Sequence, residues 1–232
     1  MNTNLSGESF DGAFQRVRDM DASLDEQLRT FADAARQRRP DFAAAVDRLV
    51  ERLRRYGAGG SAPQVGEPMP PFVLPDDAGH LVSLDRLLMK GPVAVTFHRG
   101  HWCPYCPINI NALALAHKEI AAEGSQIVAI MPDRQKFVAE LKSQSNVPFP
   151  ILTDMDNGYA MSLNLTIWVG AEMQRMMEGR QDLPTFQGNN SWMLPIPATF
   201  VVGRDGRIRA RFVDPDYRKR MAIEDLLAAL KS

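Results

Sequence analysis

The alternation of apolar and polar positions divides the chain in two. Over residues 1–60 the period is helical. Ser23 with Glu26 three positions on forms a capping-box signature, and Leu24, Leu28, Phe31 and Ala35 follow at helical spacing. Pro40 ends that segment or starts the next, in which Phe42, Val46, Leu49, Val50, Leu53 and Tyr56 mark a second amphipathic helix. Residues 1–20 are polar without a clear period and read as a loose or partner-dependent arm. The Gly/Pro-rich stretch 57–71 breaks both periods. Beyond it the pattern changes. Residues 72–74 and 81–84 flank a turn and predict a hairpin. Residues 92–97 and 126–131 are apolar and partly β-branched, as strands covered on both faces are. Helical patterns follow each of these strands, the first stopping at Gly124 and the second covering 134–145. Residues 149–152 predict a short edge-like strand, because Pro150 lacks a ladder donor. The Met-rich segment 157–194 reads as an insertion with one helix near 170–179. Arg204-Asp205-Gly206 between two β-branched runs predicts a closing hairpin, and a final helix covers about 222–231. Strands alternating with helices imply an α/β domain over 61–232, with a central mixed sheet flanked by helices and a helical extension over 1–60.

Composition narrows the function. At 232 residues, 45% hydrophobic and 24% charged, the chain is an ordinary globular one whose core needs no disulfide staples. The net charge of −1 gives no pull toward nucleic acid or anionic lipid. Residues 1–60 hold ten acids against ten arginines, so the arginine-rich segment is neutral overall. No apolar run approaches the ~18 residues that span a bilayer. The opening residues lack the basic and apolar regions of an export signal, so a cytoplasmic location is expected. The six methionines at 131, 161, 173, 176, 177 and 193 read as core filler.

The two cysteines, Cys103 and Cys106, stand one helical turn apart. A bridge between them would close a tiny loop and add little stability, so the pair is present for chemistry or for a metal. A strand ending at Phe97 and a helix starting at or just after Cys103 put that thiol at a helix N-terminus. Free N–H groups and the helix dipole there favour a thiolate, and Arg99 adds positive charge. A depressed pKa is therefore expected at Cys103. Pro104 suits a first helical turn. His98 and His101 would complete a four-ligand metal set with the cysteines, but all four lie within nine residues that leave a strand and enter a helix, which makes tetrahedral closure awkward.

The segment Phe97-His98-Arg99-Gly100-His101-Trp102-Cys103-Pro104-Tyr105-Cys106 resembles the FxRGxWCPYC signature of peroxiredoxin-like proteins in the AhpC/TSA group of the thioredoxin superfamily. Residues 194–208, with Pro195-Ile196-Pro197-Ala198-Thr199-Phe200, are similar to that group's PxPATFVIDxDG segment, and 212–217 to a further stretch common there. The resemblance covers about residues 65–232. It implies a thioredoxin-like fold and a cis peptide at Ile196–Pro197, opposite the cysteines and against the substrate. It also implies a Cys103 thiolate that attacks a peroxide and a Cys106 that resolves the product as a disulfide. Arg99, His101, Trp102, Pro104 and Tyr105 would support the thiolate. A thioredoxin or glutathione system would restore the dithiol. No cofactor, metal, membrane or nucleic acid is called for, and the helical extension suggests a homodimer.

Two positions depart from typical peroxiredoxins, which carry Pro-x-x-x-Thr-x-x-Cys: Gly100 stands where the threonine hydroxyl would orient the peroxide, and Thr96 stands where the proline would be. The residues therefore also admit a thiol–disulfide oxidoreductase in which Cys103 attacks a protein disulfide, and a non-enzymatic redox sensor or metal-binding module.

Overall fold

In a computed structural model of the protein, which describes residues 9–231, a five-stranded mixed sheet carries the chemistry. Its strands are β3 (Val93–Phe97), β4 (Gln126–Met131), β5 (Ile151–Thr153), β8 (Ala198–Val202) and β9 (Ile208–Val213), in the order β5-β4-β3-β8-β9. β3, β4 and β5 run parallel, and β8 and β9 are antiparallel to their neighbours. Two small hairpins flank it: β1 (Val73–Pro75) with β2 (Leu81–Ser83), which leads into the short helix α4 (Leu84–Leu88), and β6 (Thr166–Trp168) with β7 (Met193–Pro195). β5 is an edge strand, as the proline argument requires. Pro150 contributes only its carbonyl, which accepts from Ala129 N–H, and Asp76 of the first hairpin bridges to Leu152 to cover that edge.

Both faces of the sheet are buried. Val93, Val95 and Phe97 pack with Val128, Ile130, Phe200 and Val202 on one face. Ala94, Ile127, Ala129 and Met131 face the other, against the long helix α5 (Tyr105–Ala122), α6 (Gln135–Gln144) and α10 (Ile223–Lys231). The alternation within each strand gives one set of side chains to each layer.

The N-terminal segment forms three helices, α1 (Phe10–Arg18), α2 (Leu24–Arg38) and α3 (Pro40–Arg55). Reading residues 1–20 as a loose arm is corrected over the part described. Ser9 caps α1 by accepting Gly12 N–H at 2.9 Å, and Ala13 and Val17 are buried, while Phe14 meets the Phe31 ring edge-on at 6.3 Å. The apolar positions of that turn were too few to stand out among polar neighbours. The rest of the arm expectation, residues 1–8, lies outside the described residues. Ser23 caps α2 by accepting Glu26 N–H at 3.3 Å, and Pro40 opens α3.

The apolar faces of these helices are spent within the chain. Phe31, Val46, Leu49, Val50 and Leu53 share one buried cluster with Cys103, Tyr105, Cys106 and Met173. The insertion expected over 157–194 with one helix has more structure than that. It holds α7 (Gly158–Ser162), β6, α8 (Ala171–Met177), α9 (Leu183–Gln187) and β7. Asp154 organises its start by accepting Tyr159 N–H at 2.8 Å and Ala160 N–H at 2.9 Å. Met131, Met173 and Met177 are core, as read, but Met161 is half exposed.

Phe31 ties the extension to the domain, fully buried with its ring 5.2 Å from that of Tyr105 at 85°. Phe31→Ala is expected to cost about 3–5 kcal/mol. Denaturant unfolding checks it, and a loss under about 1 kcal/mol would mean that the extension is not part of the cooperative core.

Candidate active site

β3 ends at Phe97, and His98 N–H still donates to Ile130 C=O of β4 at 2.8 Å. The chain then turns through Arg99, Gly100, His101 and Trp102 before α5. Cys103 closes that turn, its N–H donating to Gly100 C=O at 3.2 Å, and Pro104 caps α5. Cys106 lies in the first turn of α5, as its second residue. The helix begins two residues beyond Cys103, so the cysteine expected at the helix mouth sits just before it.

Both cysteines are free thiols and both are buried. Their surroundings differ. Cys106 Sγ accepts from Arg99 N–H at 3.3 Å and from Arg220 Nη2 at 3.5 Å, and the buried His98 ring stands beside it. Beside the Cys106 thiol, Cys103 Sγ meets Arg99 Nη1, at 4.0 Å. Burial pushes the Cys103 thiol well up, the neighbouring Cys106 charge adds to this, and Arg99 and Arg220 only partly oppose it. Burial acts the same way on Cys106, but the contacts from Cys103, His98 and Arg220 outweigh it and hold that thiol well below its ordinary range. Burial therefore opposes the depressed pKa expected at Cys103, and the donors that favour a thiolate converge on Cys106. Access runs the other way. Cys103 lines a cavity of about 390 Å³ and Cys106 does not.

The remaining residues read from the sequence fall into distinct places. The Arg99 guanidinium is buried, stacked 3.8 Å over the Tyr217 ring and 5.3 Å from that of Trp102. Trp102, Pro104 and Tyr105 join Cys103 in the cavity wall. His101 turns away from the sulfurs. Its Nδ1 lies 2.8 Å from Asp133 Oδ2, which also accepts His101 N–H at 2.7 Å, and its ring stacks on Phe137 at 5.0 Å. His98 goes elsewhere, with Nε2 3.0 Å from Thr96 Oγ1, so the two histidines do not converge. Ile196 and Pro197 are buried and line no part of the cavity. Their peptide is trans, which corrects the cis bond expected there. Ile196 N–H donates to Leu165 C=O at 2.6 Å, and the Ile196 side chain is packed in the core below β3.

Three contributors escaped the sequence reading: Tyr217, Arg220 and Asp133. The signal for Tyr217 was present in the family-like stretch 212–217. Nothing local marks Arg220, which reaches Cys106 from 114 residues away.

The missing threonine has a steric explanation. Gly100 has φ +142°, and a Cβ there would meet the Trp102 indole and stand 2.7 Å from Asp133 Oδ1. Trp102 Nε1 and Asp133 Oδ1 are themselves buried without hydrogen-bond partners among the described residues.

A sheet of this order, with a cysteine pair at the β3–α5 junction, defines a dithiol protein of the thioredoxin superfamily. Residues 65–211 match the model of the AhpC/TSA family. A putative peroxiredoxin of Mycobacterium tuberculosis is 31% identical over 143 residues, covering 62% of this chain and 80% of that protein. Two solved structures share the fold. Peroxidoxin BcpB from Mycobacterium tuberculosis superposes with a TM-score of 0.57 at 21% identity, covering 72% of this chain and 96% of that one. Mycobacterium tuberculosis AhpC gives 0.54 at 16%, covering 73% and 92%. The chain belongs to the AhpC/TSA family, as a peroxiredoxin-like protein with a thioredoxin-like fold.

Two outcomes follow from the site. Thiolate absorbance near 240 nm should show one thiol ionising well below the ordinary thiol range. Cys106→Ser removes that transition and Arg220→Gln moves it upward; a transition that survives Cys106→Ser would put the charge on Cys103 instead. Because the folded pKa is lower than the unfolded one, this group stabilises the fold above the unfolded value, and that contribution is lost as pH falls through the folded one. Gly100→Thr, which restores the family's residue type, should destabilise by about 1–3 kcal/mol in thermal unfolding and bring no gain in peroxide reactivity. A faster, fully stable variant would show that the loop can accommodate the side chain.

Proposed function

We propose that this protein is a thiol peroxidase in which Cys103 attacks the peroxide and Cys106 resolves the product. The observation that carries this reading is the division of labour between the sulfurs: one faces a cavity, and the other is enclosed and met by hydrogen-bond donors. In the resting pair Cys103 carries the proton and Cys106 the charge. Passage of that proton to Cys106 leaves the anion on Cys103, beside Arg99. The Cys103 thiolate then attacks the terminal oxygen of ROOH. The S–O bond forms, the O–O bond breaks, and the alkoxide leaves as ROH after taking the proton from Cys106. Cys106, again a thiolate, attacks the sulfenic sulfur and expels hydroxide, which takes one proton from solvent to leave as water. Sulfur loses two electrons and the peroxide gains them. A dithiol reductant of thioredoxin type, or glutathione, reverses the disulfide by exchange.

The low proton affinity of Cys106 supports both of its parts, as proton carrier in the first step and nucleophile in the second. Arg99 is the cation nearest the reacting sulfur. Its ring contacts to Tyr217 and Trp102 hold the guanidinium in place without neutralising it. A homodimer through the N-terminal helices would use their outer faces, since the inner ones are occupied within the chain.

A second reading, thiol–disulfide exchange on protein substrates, draws on Gly100 standing where a peroxide-orienting hydroxyl would be. It uses the same sulfurs. Stopped-flow oxidation separates the readings. Cys103→Ser should abolish the peroxide reaction. Cys106→Ser should still form a sulfenic acid that dimedone traps, yet fail to turn over with a dithiol reductant. Insulin reduction outpacing peroxide consumption would select the second reading.

A further inference from the structure

The cavity at Cys103 is larger and more apolar than hydrogen peroxide requires. It is walled by Phe31, Phe42 and Val46 from the N-terminal helices, and by Trp102, Met177 and Tyr217 from the domain. At about 390 Å³ it is of the size that encloses an organic ligand. Six arginines line it, at 36, 38, 39, 99, 180 and 218, and none of the lining residues is acidic.

Some of this charge is already answered. Arg36 and Arg218 share Asp47 at 2.8 Å each, and Arg218 also holds Asp216 at 2.7 Å. Arg99 faces the thiol pair. Arg38, Arg39 and Arg180 make no ion pair among the described residues. Arg39 lies 4.2 Å over the Phe42 ring, and its charge is opposed by burial and by the like charge of Arg180. Two guanidinium groups lining one apolar cavity without acidic partners form a fork for an anion. Arg180 is exposed and marks the mouth, while Cys103 is buried and marks the floor.

We infer that this cavity binds an organic carboxylate with an apolar chain, and that hydroperoxides of such acids are the preferred substrates. The carboxylate sits between Arg39 and Arg180, the chain lies along Phe42, Val46 and Met177, and the peroxide reaches Cys103. This rests on the peroxidase reading for the reaction, though not for the binding. The residues that set the preference come from the N-terminal extension and from the turn after α8, which gives both segments a role in substrate choice. Uncharged hydroperoxides meet the same sulfur but leave the arginines unanswered, with nothing to offset their mutual repulsion.

Two measurements test this on the full chain. Isothermal titration of the reduced protein with decanoate and with decanol reads binding without chemistry. Decanoate should bind at least tenfold more tightly, and the double variant Arg39→Gln/Arg180→Gln should reduce that preference to within threefold. Arg180→Glu, at an exposed position that leaves the fold alone, should reduce it as well. Equal affinities in the wild-type protein, or a preference that survives both variants, overturns the site. The second measurement is kcat/KM for linoleic acid hydroperoxide against its methyl ester. A ratio above ten that collapses in the double variant supports the substrate assignment, and a ratio near one overturns it. If decanoate binds as stated and no hydroperoxide is consumed, the carboxylate site stands and the peroxidase reading falls. A double variant that instead weakens only the reaction with the dithiol reductant would make the cavity a docking surface for the reductant and overturn the proposal.

Discussion

Burying an anionic sulfur is costly unless hydrogen bonds and positive charge meet it, and the arrangement around Cys106 is built on that constraint. The Arg99 N–H, the Arg220 guanidinium and the His98 ring converge on one atom from two parts of the chain. The first two belong to the turn after β3 and to the segment before α10, and they meet only because the sheet order brings both to the start of α5. Everything the pair can do chemically depends on this. The donors meet the sulfur that lies away from the cavity, and the other sulfur lines it. In the proposed mechanism a single shared proton makes the outer thiol reactive by exchange rather than by exposure.

The N-terminal extension has a physical reason to be attached to such a site. A thiol in the floor of an apolar cavity is protected from water and from stray oxidants in proportion to how well the cavity is walled. The domain supplies the floor, with Trp102, Tyr105 and Tyr217, and the extension supplies the opposite wall from Phe31, Phe42 and Val46. The same helices bring arginines, whose long stems add apolar cover while their heads stay at the rim. The extension is therefore part of the core and of the site, and the buried cluster that joins it to the cysteines has no boundary at residue 60.

Much of the fold was legible because periodicity is local. β3 and β4 showed as continuous apolar runs, since both of their faces are covered, and α2 and α3 showed through their amphipathic faces and caps. The closing hairpin followed from Arg204-Asp205-Gly206. Segments whose partners are distant were not legible in this way. The 157–194 insertion is short elements stabilised by packing on α3 and on the sheet, and no window of its sequence carries a strong period of its own. The bond before Pro197 is trans, although the family resemblance implies cis there.

The sequence by itself determined that two thiols one turn apart follow a buried strand and precede a helix, that Arg99 stands near them, and that the chain is an AhpC/TSA relative lacking the usual threonine. Spacing and residue type suffice for that, because each is a property of adjacent residues. Only the tertiary structure decided which sulfur the hydrogen-bond donors meet, why Gly100 is glycine, and what faces Cys103. Those depend on Arg220, Asp133, Tyr217 and the arginines of the first helices, which lie far from the cysteines in the chain and reach them through the packing of α2, α3, the β4–α6 turn and the β9–α10 segment. Electrostatic and steric effects act through space, so a pattern read along the chain leaves them undetermined.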